Sequence, residues 1–187
     1  MDAFGYLSVL LSIILGLGLT QLLTAFGRLI RQRDRVDVHW LPVLWAGVLM
    51  LIYIQVWWSM YGLRGHQHWT FFEFIIVLAQ TATLYVMAAV VLPEEIDEQS
   101  ADLGAYFDKH SRWFFGFFLA TLVVSVAKDL VLGGALPSNE NLAFHAVLAI
   151  GCILGMSMRR RRNQEMLAVG FAIVVIVYIG LLFARLR

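Results

Sequence analysis

The chain has 187 residues, of which 60% are hydrophobic and 14% charged, and its mean hydropathy is +0.77. This composition lies outside the range of ordinary soluble domains and indicates a chain whose main solvent is lipid. A formal net charge of +1 gives no reason to expect nucleic acid as a partner. A single cysteine, Cys152, excludes an intramolecular disulfide and a CxxC metal or redox site.

Six apolar segments approach the length needed to cross a hydrocarbon core of about 30 Å, at about 1.5 Å per residue. We therefore predict an all-α, polytopic membrane protein that is one transmembrane domain of six helices. The predicted spans are 4–30, 41–62, 70–92, 113–136, 142–158 and 166–186. Because no basic leader precedes the first segment, we expect it to remain in the mature protein.

Small residues recur at every fourth position of the first span, which places them in one stripe on a helix: Ser8, Ser12, Gly16, Thr20 and Thr24. Small-residue seams let membrane helices approach closely, so this stripe predicts a packing surface. The alternative is chance recurrence in an apolar segment. Gly151 and Gly155 form a GxxxG pattern in the fifth span, which packs either within one protomer or between protomers. We expect a homo-oligomer.

Basic residues concentrate on one side of the predicted bundle. Ten lysines and arginines flank that side, including Arg31, Arg33, Arg35 and the run 159–162, whereas three flank the other. The positive-inside rule then predicts that the rich side is cytoplasmic and that both termini lie outside. A polybasic run also binds anionic lipid or nucleic acid, but topology determination is the commoner explanation.

The longest connection, 93–112, begins with the acidic sequence LPEEIDE. Pro93 suits the first position of a helix, and the acidic residues suit its positive end. We predict a short amphipathic helix on the cytoplasmic surface between spans three and four. Its acidity makes the segment 94–112 a docking surface either for a basic cytoplasmic partner or for the chain's own arginines at 159–162 or 31–35.

Two stretches resemble a group of small bacterial inner-membrane proteins of uncharacterised function. These are YLSVLLSIILGLGLTQLL near the start, and LPEEID through DLGAYFDKHSRWFF in the middle. The resemblance covers roughly a third of the chain and includes no catalytic motif. It implies a multi-pass protein of the bacterial inner membrane.

Lys128 and Asp129 lie within the fourth apolar span, where a charge is costly and normally faces the bundle interior, water or a partner. Adjacent helical residues point about 100° apart, so each is expected to have a partner elsewhere. Glu73, in the same outer half, is the predicted partner of Lys128. Further polar residues extend a predicted track for transport: Gln55, Gln80 and His145. The alternative places Glu73 at the interface and lets Lys128 extend its ammonium outward.

The histidines and tryptophans allow other chemistry. Candidate metal ligands on the outer side are His66, His68, Glu73 and His145. The placement of histidines near both sides also suggests paired ligands of a haem. Histidines at such positions are more commonly ordinary polar residues of loops and interfaces. Tryptophans near both span ends are typical of an aromatic belt, with Trp57, Trp58 and Trp69 outside and Trp40, Trp45 and Trp113 inside.

No nucleophile elbow, Walker loop, HExxH or dinucleotide fingerprint occurs, so we predict no catalytic residue, no bound metal and no cofactor. The favoured function is a channel or transporter for a small solute or ion. The alternative is a membrane-embedded interaction or assembly protein whose polar residues are structural. A metal- or haem-binding membrane enzyme is the third hypothesis. Membrane lipid is an expected partner in each case.

Overall fold

A computed structural model describes residues 3–66, 68–95 and 102–182. Six long helices account for most of this part of the chain, and no strand occurs in it. In chain order they are α1 (Ala3–Arg31), α2 (Trp40–Met60), α3 (Phe71–Val91), α4 (Leu103–Gly133), α5 (Asn139–Ser157) and α6 (Arg161–Leu182). All six are long and apolar enough to cross a membrane, so the described residues contain as many candidate spans as predicted, which is consistent with an integral membrane protein.

The helices follow one another around the bundle in the order α1, α3, α4, α5, α6, α2, and α2 closes the circuit by packing on α1. Helix α2 also contacts α3 and α4, so it is the central element. In its most apolar window 44% of the residues are buried, against 22% in α1. A 3₁₀ turn, Tyr61–Gly65, extends α2 at its C-terminal end.

Local hydrogen bonds explain where several helices begin and end. The side chains of Asp102 and Ser138 accept from backbone N–H groups of the first turns of α4 and α5, at 2.9 and 3.3 Å. These are N-caps, which satisfy donors that lack partners inside the helix. Gly134 ends α4 with a φ of 64°, a left-handed conformation that glycine adopts without steric cost.

The small-residue stripe of α1 is not the buried face of this helix within the chain, although Ser8 and Ser12 are half-buried. Packing of the stripe against another protomer stays a prediction. Gly16, Thr20 and Thr24 are exposed, and a Cβ added to Gly16 would meet no atom within 4 Å. Helix α1 instead buries a leucine-rich face that includes Leu11 and Leu22. Two helices gain dispersion contacts either when small residues let their backbones approach or when large side chains fill the space between them. A stripe of small residues alone therefore does not identify which face of a helix is packed.

The GxxxG pattern of α5 packs inside the protomer. A Cβ on Gly155 would lie 2.6 Å from the ring of Phe115 in α4, and a Cβ on Gly151 would lie 3.1 Å from the ring of Phe171 in α6. Each glycine therefore makes room for an aromatic ring of a neighbouring helix. Of the two arrangements that the sequence left open, the structure has the one within a single chain.

The connection between α3 and α4 differs from the prediction. Pro93, Glu94 and Glu95 are not helical, and residues 96–101 lie outside the described residues. Residues 103–112 are helical but form the first turns of α4, which begins ten residues before the predicted span. The described residues thus contain no separate surface helix, because the capped start at Asp102 continues without interruption into the apolar run.

Polar contacts join the helix ends on the side that carries the arginine runs, hereafter the arginine-rich end. Arg161 of α6 donates to Asp108 of α4 at 2.9 Å, as the opposite charges of these two segments suggested. His39 lies 3.4 Å from Glu165, and the N–H of Leu103 donates to the carbonyl of Asp37 at 3.2 Å. The opposite end of the bundle, where α2 and α4 end and α3 and α5 begin, is the arginine-poor end.

Candidate functional site

A cavity of about 310 Å³ lies in the half of the bundle toward the arginine-poor end. Side chains from α2, α3, α4, α5 and α6 line it. Ten of them are polar: Gln55, Ser59, Gln80, Thr121, Ser125, Lys128, Asp129, Asn141, His145 and Tyr178. Polar groups inside apolar helices are costly unless they are paired or hydrated, so their convergence from five helices marks this cavity as the candidate site.

Five of the six residues predicted to form a polar track line this cavity: Gln55, Gln80, Lys128, Asp129 and His145. They approach it from four helices that are far apart in sequence. From the span directions, Gln55, Lys128 and His145 are predicted to share the outer half of the membrane, and Gln80 is predicted to continue the track inward on the helix face of Glu73. The bundle brings them to one space.

Glu73 is the predicted residue that does not line the cavity, and its predicted pair with Lys128 is not formed. Its carboxylate accepts from the N–H of Thr70 at 2.6 Å, while the hydroxyl of Thr70 accepts from the N–H of Glu73 at 3.2 Å. This reciprocal arrangement is a capping box. The second carboxylate oxygen lies 3.3 Å from His66, so Glu73 is occupied at the start of its own helix.

Lys128 has Asp129 as its charged neighbour, contrary to the expectation that the two would find separate partners. The Lys128 Nζ lies 3.8 Å from Asp129 Oδ1, and the side chains are 14% and 32% exposed. The long lysine stem spans the angle between adjacent helical positions. The distance exceeds that of a charge-assisted hydrogen bond, about 2.7–2.9 Å, so the contact is a loose ion pair.

A hydrogen-bonded group on α5 and α6 forms another wall of the cavity. The hydroxyl of Tyr178 donates to Asn141 Oδ1 at 3.0 Å, and His145 Nδ1 lies 2.9 Å from the carbonyl oxygen of Asn141. A carbonyl oxygen only accepts, so Nδ1 carries the proton and Nε2 of neutral His145 is an acceptor. Sequence reasoning missed Asn141 and Tyr178, although a tyrosine inside the aliphatic run VVIVYIG is itself a polar signal.

Aromatic side chains close the cavity toward the arginine-rich end. Phe118 lines the cavity, and its ring centroid lies 4.8 Å from that of Phe171. Behind them the Trp45 ring lies 5.0 to 5.3 Å from Phe171, Phe114 and Phe115 in edge-to-face contacts. We call these five residues the aromatic floor. Edge-to-face rings pack closely, and all five side chains are buried, so the floor separates the cavity from the arginine-rich end.

The position of Trp45 corrects the aromatic-belt prediction. Trp45 is fully buried, whereas Trp40 and Trp113 are 45% and 66% exposed, as belt residues would be. Trp57 and Trp58 at the arginine-poor end are also exposed. Sequence position near a span end therefore does not distinguish a tryptophan in the interface from one in the core.

The candidate metal ligands His66, His68, Glu73 and His145 do not come together in the described part of the chain. Among the described residues no group of three or more His, Cys, Asp and Glu side chains is placed to hold a metal ion. His66 pairs with Glu73, whereas His145 lines the cavity. Cys152 is a buried free thiol within α5, as expected for a small packing residue.

Comparison with known protein families, with characterised proteins and with solved structures finds no match to this chain.

Proposed function

We propose that this protein is an integral membrane transporter that carries a small polar solute or ion through the cavity. The observation that carries the proposal is the convergence of Lys128, Asp129, Gln55, Gln80 and His145 on one space inside an apolar bundle. Ionisable residues within membrane-spanning segments characteristically mark solute and ion pathways. As part of the same proposal, the protein carries its solute without converting it and is not an enzyme.

Several polar side chains of the cavity are not saturated by hydrogen bonds to one another, which favours a ligand over a purely structural role. Lys128 and Asp129 lie 3.8 Å apart, beyond the distance of a direct hydrogen bond. In the described part of the chain, the side-chain amides of Gln55 and Gln80 make no hydrogen bond to another residue. A structural cluster would gain most from direct hydrogen bonds, since each unpaired polar group in an apolar interior costs free energy.

The aromatic floor favours a carrier over an open channel. A solute in the cavity reaches the buried rings of Phe118 and Phe171 before it reaches the arginine-rich end. Passage therefore requires the helices to rearrange, as in transport by alternating access. None of the three prolines interrupts a described helix beyond its first turn, so rigid helices moving against each other are the favoured form of that rearrangement.

Uptake into liposomes tests the proposal. Purified protein would be reconstituted and supplied with a defined mixture of amino acids, organic acids, amines, sugars and inorganic salts, and the accumulated solutes would be measured by mass spectrometry. We expect at least one solute to accumulate above the level in protein-free liposomes. Accumulation of none would refute transport.

Variants that fill the cavity provide the matched test of the site. Ser125→Phe and Ser59→Phe add a ring to the cavity wall from two different helices and should abolish uptake. Val123→Phe adds a ring on the same helix at a position that is 60% exposed, and it should retain uptake. Equal uptake by all three variants would show that the cavity is not the pathway.

A membrane-embedded interaction or assembly protein is the second candidate, and the exposed stripe of α1 favours it. Gly16, Thr20 and Thr24 form an exposed small-residue surface of the kind that joins membrane helices. The proposed homo-oligomer and a cytoplasmic partner at 94–112 belong to this hypothesis. Native mass spectrometry of the wild type and of Gly16→Leu tests it, and an unchanged monomer in both would exclude assembly through α1.

The proposed location is the bacterial inner membrane, with both termini outside. The resemblance of two sequence stretches to bacterial inner-membrane proteins supports this location, and the unequal distribution of basic residues supports the orientation. In that orientation the cavity is on the outer side and the aromatic floor faces the cytoplasm.

A further inference from the structure

The cavity carries one positive and one negative charge. Lys128 and Asp129 are the charged side chains among the described residues that line it, so the lining has a formal charge of zero when His145 is neutral. Both charges lie on consecutive residues of α4 and point into the same space. A ligand that enters this part of the cavity meets the two charges together.

The pair leaves each charged group with unused hydrogen-bonding capacity. A lysine ammonium has three donors and a carboxylate accepts several hydrogen bonds. At 3.8 Å, the Lys128 and Asp129 groups are too far apart for a direct hydrogen bond. A ligand bearing a carboxylate and an ammonium on the same carbon atom matches both the small separation and the signs of these charges.

We propose that the solute is a zwitterion of amino-acid size, with its carboxylate on the Lys128 ammonium and its ammonium on the Asp129 carboxylate. This inference rests on the proposed transport function and names the substrate class for the same cavity. The amides of Gln55 and Gln80 are available to hydrogen-bond the remaining polar atoms of the ligand.

The same two charges discriminate against ions of a single sign. An anion that pairs with Lys128 draws the ammonium from Asp129 and leaves an uncompensated carboxylate inside the bundle. A cation on Asp129 likewise leaves an uncompensated ammonium. Removing one partner of a buried pair is strongly unfavourable, whereas a zwitterion leaves both charges paired. Selectivity then comes from the penalty on the wrong ligand as well as from contacts to the right one.

The remainder of the cavity lining favours an apolar side chain on the zwitterion. Apolar lining residues include Ile52, Leu122, Leu148 and Val175, together with Phe118 of the aromatic floor. A volume of about 310 Å³ is at the small end of ligand pockets. Neutral aliphatic amino acids combine the required charges, size and apolar surface.

Equilibrium binding to the full chain in nanodiscs tests the substrate class. The probes are free L-leucine, isocaproate, which lacks its ammonium, and isoamylamine, which lacks its carboxylate, together with L-alanine, propionate and ethylamine as a smaller series. We expect the zwitterion of at least one series to bind about tenfold more tightly, or better, than both of its singly charged analogues.

Variants of the two charged residues should change selectivity in opposite directions. Lys128→Met leaves the carboxylate and should make the amine the preferred ligand, whereas Asp129→Asn leaves the ammonium and should make the carboxylate analogue the preferred ligand. Glu73→Gln, at the same end of the bundle but outside the cavity lining, should keep the wild-type preference. A merely structural role of the pair would lower binding of all ligands without reversing their order.

The outcomes separate this inference from the transport proposal. If a singly charged analogue binds the wild type as tightly as its zwitterion, the zwitterion inference is wrong although the cavity still binds a solute. If no member of either series binds, the inference is also wrong, and uptake from the mixed solutes decides transport independently. The comparison within the wild type remains decisive even where a variant fails to fold.

Discussion

Gly155 offers the sharpest test of how α4 and α5 pack. A Cβ at this position would lie 2.6 Å from the Phe115 ring, whereas nonbonded carbon atoms prefer about 3.5–4.0 Å. The ring must therefore move by about 1 Å. Phe115 is fully buried and in edge contact with Trp45 and Phe114, so the displacement is transmitted into the aromatic floor.

The expected cost of Gly155→Ala follows from these opposing effects. Overpacking a well-packed core costs about 1–3 kcal/mol, and replacing a helical glycine with alanine returns about 1 kcal/mol. We expect net destabilisation by about 0–2 kcal/mol. Gly151→Ala, with its Cβ at 3.1 Å from Phe171, should cost less, and Gly16→Ala, with open space around it, should be neutral or stabilising.

Thermal unfolding of the three variants in one detergent measures this order. Combining Gly155→Ala with Phe115→Leu should cost less than the sum of the two single changes, because the smaller side chain relieves the overlap. Equal melting temperatures for the changes at Gly155 and Gly16, or strict additivity in the double variant, would contradict the packing described for α4 and α5.

Three further predictions concern topology, pairing and pH. A cysteine at Asn163, in a cysteine-free background, should resist a membrane-impermeant label added outside intact cells; labelling there would reverse the proposed orientation. The effects of Lys128→Met and Glu73→Gln on the free energy of unfolding should be additive within about 0.5 kcal/mol, because the two side chains are not paired. A larger coupling energy between the two changes would contradict their separate positions. The hydrogen bond from the backbone N–H of Ala105 lowers the pKa of Asp102 below its ordinary 3.8, so the N-cap of α4 stabilises the fold above that pH and is lost as the pH falls through the lowered pKa. The Asp102→Ala variant should therefore lose this part of the acid sensitivity of its melting temperature in detergent. An unchanged dependence of the melting temperature on acid pH would argue against the cap.

Much of the helical architecture follows from the apolar runs, but the packed faces do not. Lipid surrounds an isolated span equally on all sides, so the apolar pattern of α1 does not distinguish the leucine face that packs from the small-residue face that is exposed. Trp45 illustrates the same difficulty, since its neighbours Phe114 and Phe171 come from distant parts of the chain.

The candidate site was predictable to the extent that its residues are unusual in a membrane helix. Lys128 and Asp129 are conspicuous by their charge, and their shared half follows from the span directions. The pairing of Glu73 was predicted wrongly because a carboxylate in the first turn of a helix can hydrogen-bond to the N-cap of its own helix. The spacing of Thr70 and Glu73 is that of a capping box and could have been recognised in the sequence. Asn141 was missed because a polar residue at a helix start is ordinary in sequence, and only the fold brings it to Tyr178.

Helix α4 joins the two ends of the bundle mechanically. Its 31 residues extend about 46 Å, well beyond a hydrocarbon core of about 30 Å, without a break between Asp108 and Lys128. One end is linked to α6 through Arg161, and the other carries the charged pair. A tilt or rotation of α4 at the cavity must therefore also displace its first turns, so a spectroscopic probe in 103–112 would report on events at the interior site from the surface.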